Sequence, residues 1–473
     1  MSGERPSAGK RVLLLNPASM ARVYDRSRVQ GQVHPSLTLA TLAAPLASTG
    51  HPVRILDLTV EPDPSAGLSR ELASFRPHVV GITFVTASYD EFKEICTRVK
   101  AHDPGVLVVA GGPHATAAPD MVLAESSADA VVLSEGDLAF PRLVQADDAR
   151  DVPGVVIRDG PGFAHMGSPE RVGDLDRLPM PAWHLFDLKR YVNPRSFGLS
   201  PLGAIETSRG CPFHCVFCNK NIFGDRYRSK SPARVVEEFQ YLKRLGFREA
   251  YISDDGFTTD LDRAKDICER LIREEVGLPW NLGNGIRVDR VDLEFLRLAK
   301  KAGCHRVHFG IEAADDAILQ RARKGITVEQ VRRAFRLAKE AGIDTMAYFM
   351  LGLPGETPRT MQQTIDLAKE LAPDFARVAV VVPLPGTELW DEWNEKGLIL
   401  SREWGRYTFH DTGAEVYRHP DLDRATINHY YEKFYRDVYL RPSYLAKRVV
   451  KGIRRGTLFA DGAYFVKHFV LKR

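Results

Sequence analysis

Three cysteines stand within eight positions, Cys211, Cys215 and Cys218 in ETSRGCPFHCVFCNK (206–220), although the whole chain of 473 residues has only six. Thiolates so close together must share a metal or repel one another. A structural zinc site wants four ligands, and the next cysteine, Cys268, lies far downstream inside a helical pattern. An iron–sulfur cubane normally takes four cysteines, so a set of three leaves one iron open to an exogenous ligand. Cys96, Cys268 and Cys304 fall in helix or helix-end patterns and read as buried small hydrophobes.

Elements that could position this loop follow from the hydrophobic pattern. GAIETS (203–208), EAYISD (249–254), WNLGNGI (280–286), RVHFGIE (306–312), TMAYFMLG (345–352) and ARVAVVV (376–382) read as strands. Segments such as DLEFLRLAKKAG (292–303) between them have helical periodicity. Six βα repeats over 201–395 predict a partial (β/α)6 barrel, and barrel ligand sites lie at the carboxyl ends of strands, where the cysteine loop emerges.

Residues 1–145 show a second βα rhythm: RVLLLN (11–16), VRILDL (53–58), HVVGITF (78–84), VLVVAGG (106–112) and DAVVLSEG (129–136). Five near-continuous apolar strands predict a parallel sheet covered on both faces, a doubly wound, flavodoxin-like α/β domain. Ligands of such sheets bind beyond the carboxyl ends of the strands, where Thr83, Thr86, Ser88, Gly111, Gly112, His114, Glu135 and Gly136 fall. There is no full GxGxxG fingerprint, which disfavours a nicotinamide dinucleotide. Residues 146–200 read as a linker containing a hairpin, GVVIRDGPGFAH (154–165), and a Pro-rich passage, LPMPAWHLFDL (178–188).

Residues 396–473 predict a helical extension. Its end, 441–473, has nine Lys/Arg and one acid, Asp461, with Leu445, Val449, Val450, Ile453, Leu458, Phe459, Phe465 and Phe469 interspersed. A solvated helical face and attachment to an anionic lipid surface are the two readings of this tail. The net charge of +4 does not announce a nucleic-acid partner. No apolar stretch approaches a membrane span and the N-terminus lacks a secretory core, so a cytoplasmic location is expected.

The spacing CxxxCxxC, with aromatic Phe217 before the last cysteine, resembles the signature of the radical S-adenosylmethionine superfamily. The resemblance implies a [4Fe–4S] cluster on Cys211, Cys215 and Cys218, with S-adenosylmethionine on the open iron as the source of a 5′-deoxyadenosyl radical. It further implies polar contacts to S-adenosylmethionine from Asp254 and Asp255, Asn284 and Arg287, Glu312 and Lys324, and an adenine-side motif, FMLGLPGET (349–357), containing Gly352. With the N-terminal sheet included, residues 10–395 resemble the cobalamin-binding members, sometimes called class B when they methylate. GITFVTASYDEF (81–92), GGPHATAAPD (111–120) and LSEGD (133–137) resemble their cobalamin loops, while the DxHxxG motif that supplies a histidine to cobalt elsewhere is absent.

The resemblance therefore implies C-methylation of an unactivated centre in a lipid, such as a hopanoid, or a secondary metabolite, with a reductant such as flavodoxin or ferredoxin. One alternative is ring closure, oxidation or carbon–carbon coupling, because LNPAS and HPSLTLATLAAPL (34–46) resemble the anaerobic magnesium-protoporphyrin ester cyclases equally. Another is a non-catalytic iron–sulfur or cobalamin sensor.

Overall fold

The computed structural model describes residues 9–19, 32–194, 198–410 and 415–466. The first sheet contains β1 (Val12–Asn16), β2 (Val53–Asp57), β3 (Val79–Thr83), β4 (Leu107–Gly111) and β5 (Ala130–Val132), all parallel, in the order β2-β1-β3-β4-β5. Successive residues of a strand face opposite ways, so β1 feeds two cores. Leu13 and Leu15 join Val80, Phe92 and Val99 on one face, and Val12 and Leu14 join Leu39, Ala43 and Phe140 on the other.

The hairpin expected within the linker belongs to this sheet. β6 (Val155–Asp159) pairs antiparallel with β5, and β7 (Gly162–Met166) pairs with β6. β5 is only three residues long, and the buried run Val155, Val156 and Ile157 covers the edge it would otherwise leave open. The connecting segment thus begins after Met166. It is pinned to both domains: Ala182 N donates to Ala40 O at 2.9 Å, and Trp183 packs against Phe247 at 5.7 Å between ring centres.

The second sheet is the expected barrel portion. β8 (Leu202–Ile205), β11 (Glu249–Ile252), β12 (Trp280–Ile286), β13 (Cys304–Glu312), β14 (Asp344–Leu351) and β15 (Phe375–Val380) are parallel and adjacent in chain order. Two short antiparallel strands, β9 (Ser208–Arg209) and β10 (Arg228–Ser229), pinch the base of the cysteine loop. The helices carry their own stop and start signals. In Val328–Ala341, Thr327 and Gln330 form a capping box, Gly342 ends the helix in the left-handed region, and Val331, Ala334, Phe335 and Ala338 face the sheet.

The C-terminal extension covers the β15 edge. In helix Arg424–Tyr439 the Tyr439 hydroxyl accepts from Ala376 N at 2.8 Å and donates to Ala376 O at 2.6 Å, and Tyr435 does the same at Val378. Two phenols thereby replace the missing neighbour strand as hydrogen-bond partners for an edge buried away from water. Helices Pro442–Arg455 and Leu458–Phe465 follow. The tail residues Lys467, Phe469, Lys472 and Arg473 lie outside the described residues.

Candidate active site

The cysteine loop is fixed at its base by a buried carboxylate. Asp254, at the carboxyl end of β11, accepts from Thr207 N, the Thr207 hydroxyl and the Ser208 hydroxyl, the last at 2.6 Å. Gly210 then turns the chain at φ +82°, and a Cβ there would lie 2.3 Å from the Arg226 carbonyl oxygen. Only glycine meets both demands. Cys211 N donates to Gly224 O at 3.2 Å and Cys218 N to Cys215 O at 3.1 Å, while the Lys220 ammonium reaches back to Phe213 O at 2.6 Å and Cys211 O at 3.4 Å. Val216 N bonds Ala322 O, and Val216 O accepts from Leu389 N, so the loop is also tied down between its second and third cysteines.

Cys211 and Cys215 are half-buried and Cys218 is exposed. Although Cys218 is exposed as a residue, desolvation of its sulfur within the loop, followed by the charges of Cys215, Asp255 and Cys211, pushes its thiol up to about 12. Burial also raises Cys215 against the lowering effect of Lys324. Uncompensated thiols here resist ionisation, whereas a cationic centre would take them as thiolates with release of protons. Among the described residues, no three His, Cys, Asp or Glu side chains are arranged to hold a single metal ion. Three thiols that each address a different iron of a cube need not converge on one point, so the donor set fits a three-cysteine cluster.

Facing the loop is an ion pair, Lys324 to Glu312 at 2.7 Å, with both side chains about nine-tenths buried. Glu312 lies at a β13 irregularity with φ +72°, a left-handed conformation that turns its carboxylate toward Lys324. Burial opposes the Lys324 charge, but Glu312 and then Cys215 outweigh it and raise its pKa. Arg287 stacks 3.6 Å over Phe213 of the cysteine loop and donates to Lys324 O at 2.6 Å and Gly325 O at 3.1 Å. Its guanidinium therefore joins two loops. Asn284 donates to Asp254 O at 3.0 Å, Asp255 stays exposed beside Cys218, and Phe217 packs against the core.

Gly352 is fixed from both sides. Its N–H donates to Glu356 at 2.6 Å and its carbonyl accepts from His419 Nε2 at 3.0 Å, while His419 Nδ1 accepts from the Asp421 and Leu422 amides. Asp254 thus acts as a pin for the strand before the cysteines. Glu312, Lys324 and Arg287 gather at the loop's inner side, and Gly352 follows β14 at the same end of the barrel.

The first sheet has its own site. Its strand order makes the crevice between β1 and β3 the topological switch point, where ligands of doubly wound sheets bind. Four buried polar atoms near the carboxyl ends of the strands have no hydrogen-bond partner among the described residues: Asn16 Oδ1 at the end of β1, Ser19 Oγ beyond it, Ser88 Oγ after β3, and His114 Nε2 after β4. Buried polar atoms are ordinarily paired, so this end of the sheet has hydrogen-bonding capacity that a polar ligand would meet. Thr86 sits against His114 Nδ1 at 3.1 Å, and Gly112, at φ +96°, lets the strand end approach Phe84 and Thr83, which a Cβ would meet at 2.7 and 2.9 Å. Thr83 and Gly111 are paired at the ends of β3 and β4.

Glu135 differs from the expectation of a cofactor contact. Its fully buried carboxylate accepts from Arg209 at 2.9 Å, from Arg228 and from Val172 N at 3.2 Å. Arg209 also binds Asp137 at 2.8 Å, and the hydroxyl of Ser134, a residue at φ +59°, donates to Ile222 O in the cysteine loop. Gly136 begins the next helix. The loop after β5 therefore bonds directly to the loop that carries the cysteines. The sequence singled out neither Arg209, Arg228, Ser134 nor Lys220, although Arg209 stands two residues before Cys211.

Residues 205–368 match the radical SAM superfamily, and residues 27–144 match the B12 binding domain. An uncharacterized methyltransferase of Pyrococcus horikoshii is 34% identical over 449 residues, 93% of this chain and 94% of that protein. The chain is a cobalamin-binding radical SAM enzyme. Within this family it is 30% identical to the cytidylyl-2-hydroxyethylphosphonate methyltransferase of Streptomyces wedmorensis, over 83% of each chain. It is 31% identical to the anaerobic magnesium-protoporphyrin IX monomethyl ester cyclase of Rubrivivax gelatinosus, over 79% of this chain and 69% of that one. The fold is shared with the radical SAM methyltransferase TsrM of Kitasatospora setae, solved with cobalamin and a [4Fe–4S] cluster bound (TM-score 0.66, 24% identity, 82% of this chain and 78% of that one). It is also shared with OxsB, solved with aqua-cobalamin and S-adenosylmethionine bound (TM-score 0.74, 18% identity, 98% and 72%). The cofactors of this radical SAM enzyme are thus the cluster, S-adenosylmethionine and cobalamin.

The buried titratable groups of this radical SAM enzyme set its pH range. Burial lowers His114 to about 4 and His410 to about 3, and depresses His308 and His419 as well. Unfolded, these histidines take up protons near pH 6.5, so the stability of their neutral folded forms is present above that pH and lost as pH falls below it. Burial raises Glu356 to about 8. Its contribution runs the other way, being fully present below about pH 4.5 and lost as pH rises through 8. Burial also raises Glu206 and Asp254, and Asp255 to about 6, so carboxyls and histidines oppose one another below pH 6.5, and Glu356 continues to titrate above it. Calorimetry should therefore find that Glu356→Gln reduces the fall in melting temperature between about pH 6.5 and pH 8, and an unchanged fall would remove Glu356 from this role.

Proposed function

We propose that this enzyme C-methylates an unactivated carbon of a small molecule, either a lipid or a secondary metabolite. The observation that carries the proposal is the direct bonding of the two cofactor loops. Ser134 and Glu135, from the domain with the switch-point crevice, reach Ile222 and Arg209 on either side of the three cysteines. A methyl donor and a radical source held on opposite sides of one cleft suit transfer to a carbon radical formed between them. When bound, the cluster supplies the electron that cleaves S-adenosylmethionine, and cobalamin carries the methyl group.

The chain's own residues would hold and shield. Cys211, Cys215 and Cys218 would take three irons. Lys324 and Glu312, near Cys215, would offer opposite charges to a carboxylate and an ammonium, and the Gly352 loop, held by Glu356 and His419, would line the adenine end. Thr86, Ser88, His114 and Gly112 would line the corrinoid crevice. The domain-spanning loops would keep water out of the space between the two cofactor sites. A small redox protein such as flavodoxin or ferredoxin would deliver the electron, in the cytoplasm, where thiols stay reduced. No described helix is long and apolar enough to cross a membrane.

The identity to an anaerobic ester cyclase supports a second reading, oxidative ring closure with the same cofactors. Product mass separates the two. Anaerobic incubation of reconstituted enzyme with dithionite, S-adenosylmethionine, hydroxocobalamin and a metabolite extract should yield 5′-deoxyadenosine and a species heavier by one CH₂. A product lighter by hydrogens would transfer the assignment to cyclisation.

A further inference from the structure

The basic tail is not used by the chemistry above. Its first helix, Pro442–Arg455, turns its cations inward: Lys447 pairs with Asp374 at 3.0 Å, Lys451 with Asp344 at 3.0 Å and with Asp374, and Arg455 with Asp344 at 2.6 Å. Arg448 pairs with Asp461 of the following helix at 2.9 Å. Asp344 opens β14 and Asp374 immediately precedes β15, so this helix lies across the amino-terminal end of the barrel strands, opposite the cysteine loop.

The outward side of the tail is apolar. Val449 is 47% exposed, Val450 48% and Ile453 63%, and the next helix adds Phe459 at 91%, with Val466 beyond it at 46%. Large hydrophobic side chains exposed along two consecutive helices mark a site that another apolar phase covers. The segment 442–466 carries five Lys/Arg and one acid, Asp461, and Arg454, next to exposed Ile453, makes no ion pair among the described residues.

This combination decides the occupant. A second copy docking by the same face would bring like cations together across a two-fold axis. An anionic phospholipid surface satisfies both features, with aliphatic and aromatic groups in the acyl boundary and cations at the phosphates. We propose that the segment 442–466 attaches this enzyme peripherally to anionic membrane surfaces through the amino-terminal end of its barrel. The attachment leaves the cysteine loop on the far side, so it localises the enzyme and is independent of what the substrate is.

Co-sedimentation of the reconstituted full chain with vesicles tests this. Binding to equimolar phosphatidylcholine and phosphatidylglycerol should be about tenfold or more tighter than to phosphatidylcholine alone, and should weaken in about 0.5 M salt. The double variant Ile453→Asp, Phe459→Asp should lose about tenfold or more of that binding with its melting temperature and 5′-deoxyadenosine formation unchanged, because both side chains point into solvent. Equal or absent sedimentation with the anionic vesicles overturns the proposal, as does unimpaired binding of the double variant. A wild-type dimer in sedimentation equilibrium that the double variant converts to monomer would assign the face to a second copy and overturn it as well.

Discussion

Cys215→Ala is expected to bring reductive cleavage of S-adenosylmethionine down to the background rate, a loss of more than about 1,000-fold, since the cofactor carries the chemistry. Iron content should fall with it, because two thiols cannot hold a cube that needs three protein ligands to keep one corner open. The fold should survive. Cys215 is only half-buried, and its loop is tied down by main-chain bonds of Cys211, Val216 and Cys218 and by Lys220, none of which uses the Cys215 thiol. Thermal unfolding of the cofactor-free variant should match that of the cofactor-free parent within about 0.5 kcal/mol, the usual range for a substitution away from the core. Persistent 5′-deoxyadenosine formation by the variant would remove the cysteines from the chemistry. A collapsed melting temperature would show that the thiol has a structural role which the loop geometry does not indicate.

Glu135→Ala should cause the largest loss of stability, about 3–5 kcal/mol, as expected when one partner of a buried charge network is deleted. The alanine leaves Arg228, 7% exposed at its side chain, with only carbonyl partners, Val172 O and Phe223 O, and it removes one of the three carboxylates around Arg209. The cysteine loop would feel the change, since Arg209 and Arg228 lie in β9 and β10, the strands that close its base. Urea denaturation should therefore show a lowered midpoint together with weaker iron and cobalamin retention. Glu135→Gln, which keeps an acceptor but no charge, should fall between the two. An alanine variant as stable as the parent would mean that Asp137 and Glu206 alone balance both arginines.

The contrast between Cys215 and Glu135 shows what the sequence makes legible. The cysteine motif is local, so its chemistry follows from types and spacing alone. The strands of both sheets announce themselves by apolar runs, and all six barrel strands and five doubly wound strands fall where those runs lie. Long-range pairing leaves no such trace. Glu135 meets Arg209 and Arg228 across separations of 74 and 93 residues, and no local period encodes that meeting. As one residue of LSEGD, Glu135 reads as a cofactor contact; in the fold its carboxylate is taken up by two arginines.

Asp254 and Arg287 illustrate the same limit at the barrel. Both stand at strand ends where cofactor contacts are expected, yet Asp254 holds Thr207 and Ser208, and Arg287 clamps Phe213 and the Lys324 loop. In the structure both brace the cysteine loop. The hairpin Val155–Met166 carried clear turn chemistry, but nothing local told that its partner would be the short edge strand β5. In the tail, composition showed both cations and hydrophobes, while the sense in which the helix turns them depends on Asp344 and Asp374, each more than 70 residues away.

The central claim is that three cysteines hold a cube with one iron left for S-adenosylmethionine. Mössbauer spectroscopy of the anaerobically reconstituted enzyme, enriched in the absorbing iron isotope, tests it most directly. Addition of S-adenosylmethionine should shift the signal of one iron in four and leave the other three unchanged. Four irons indifferent to S-adenosylmethionine, or zinc in place of iron in protein purified without oxygen, would contradict the account.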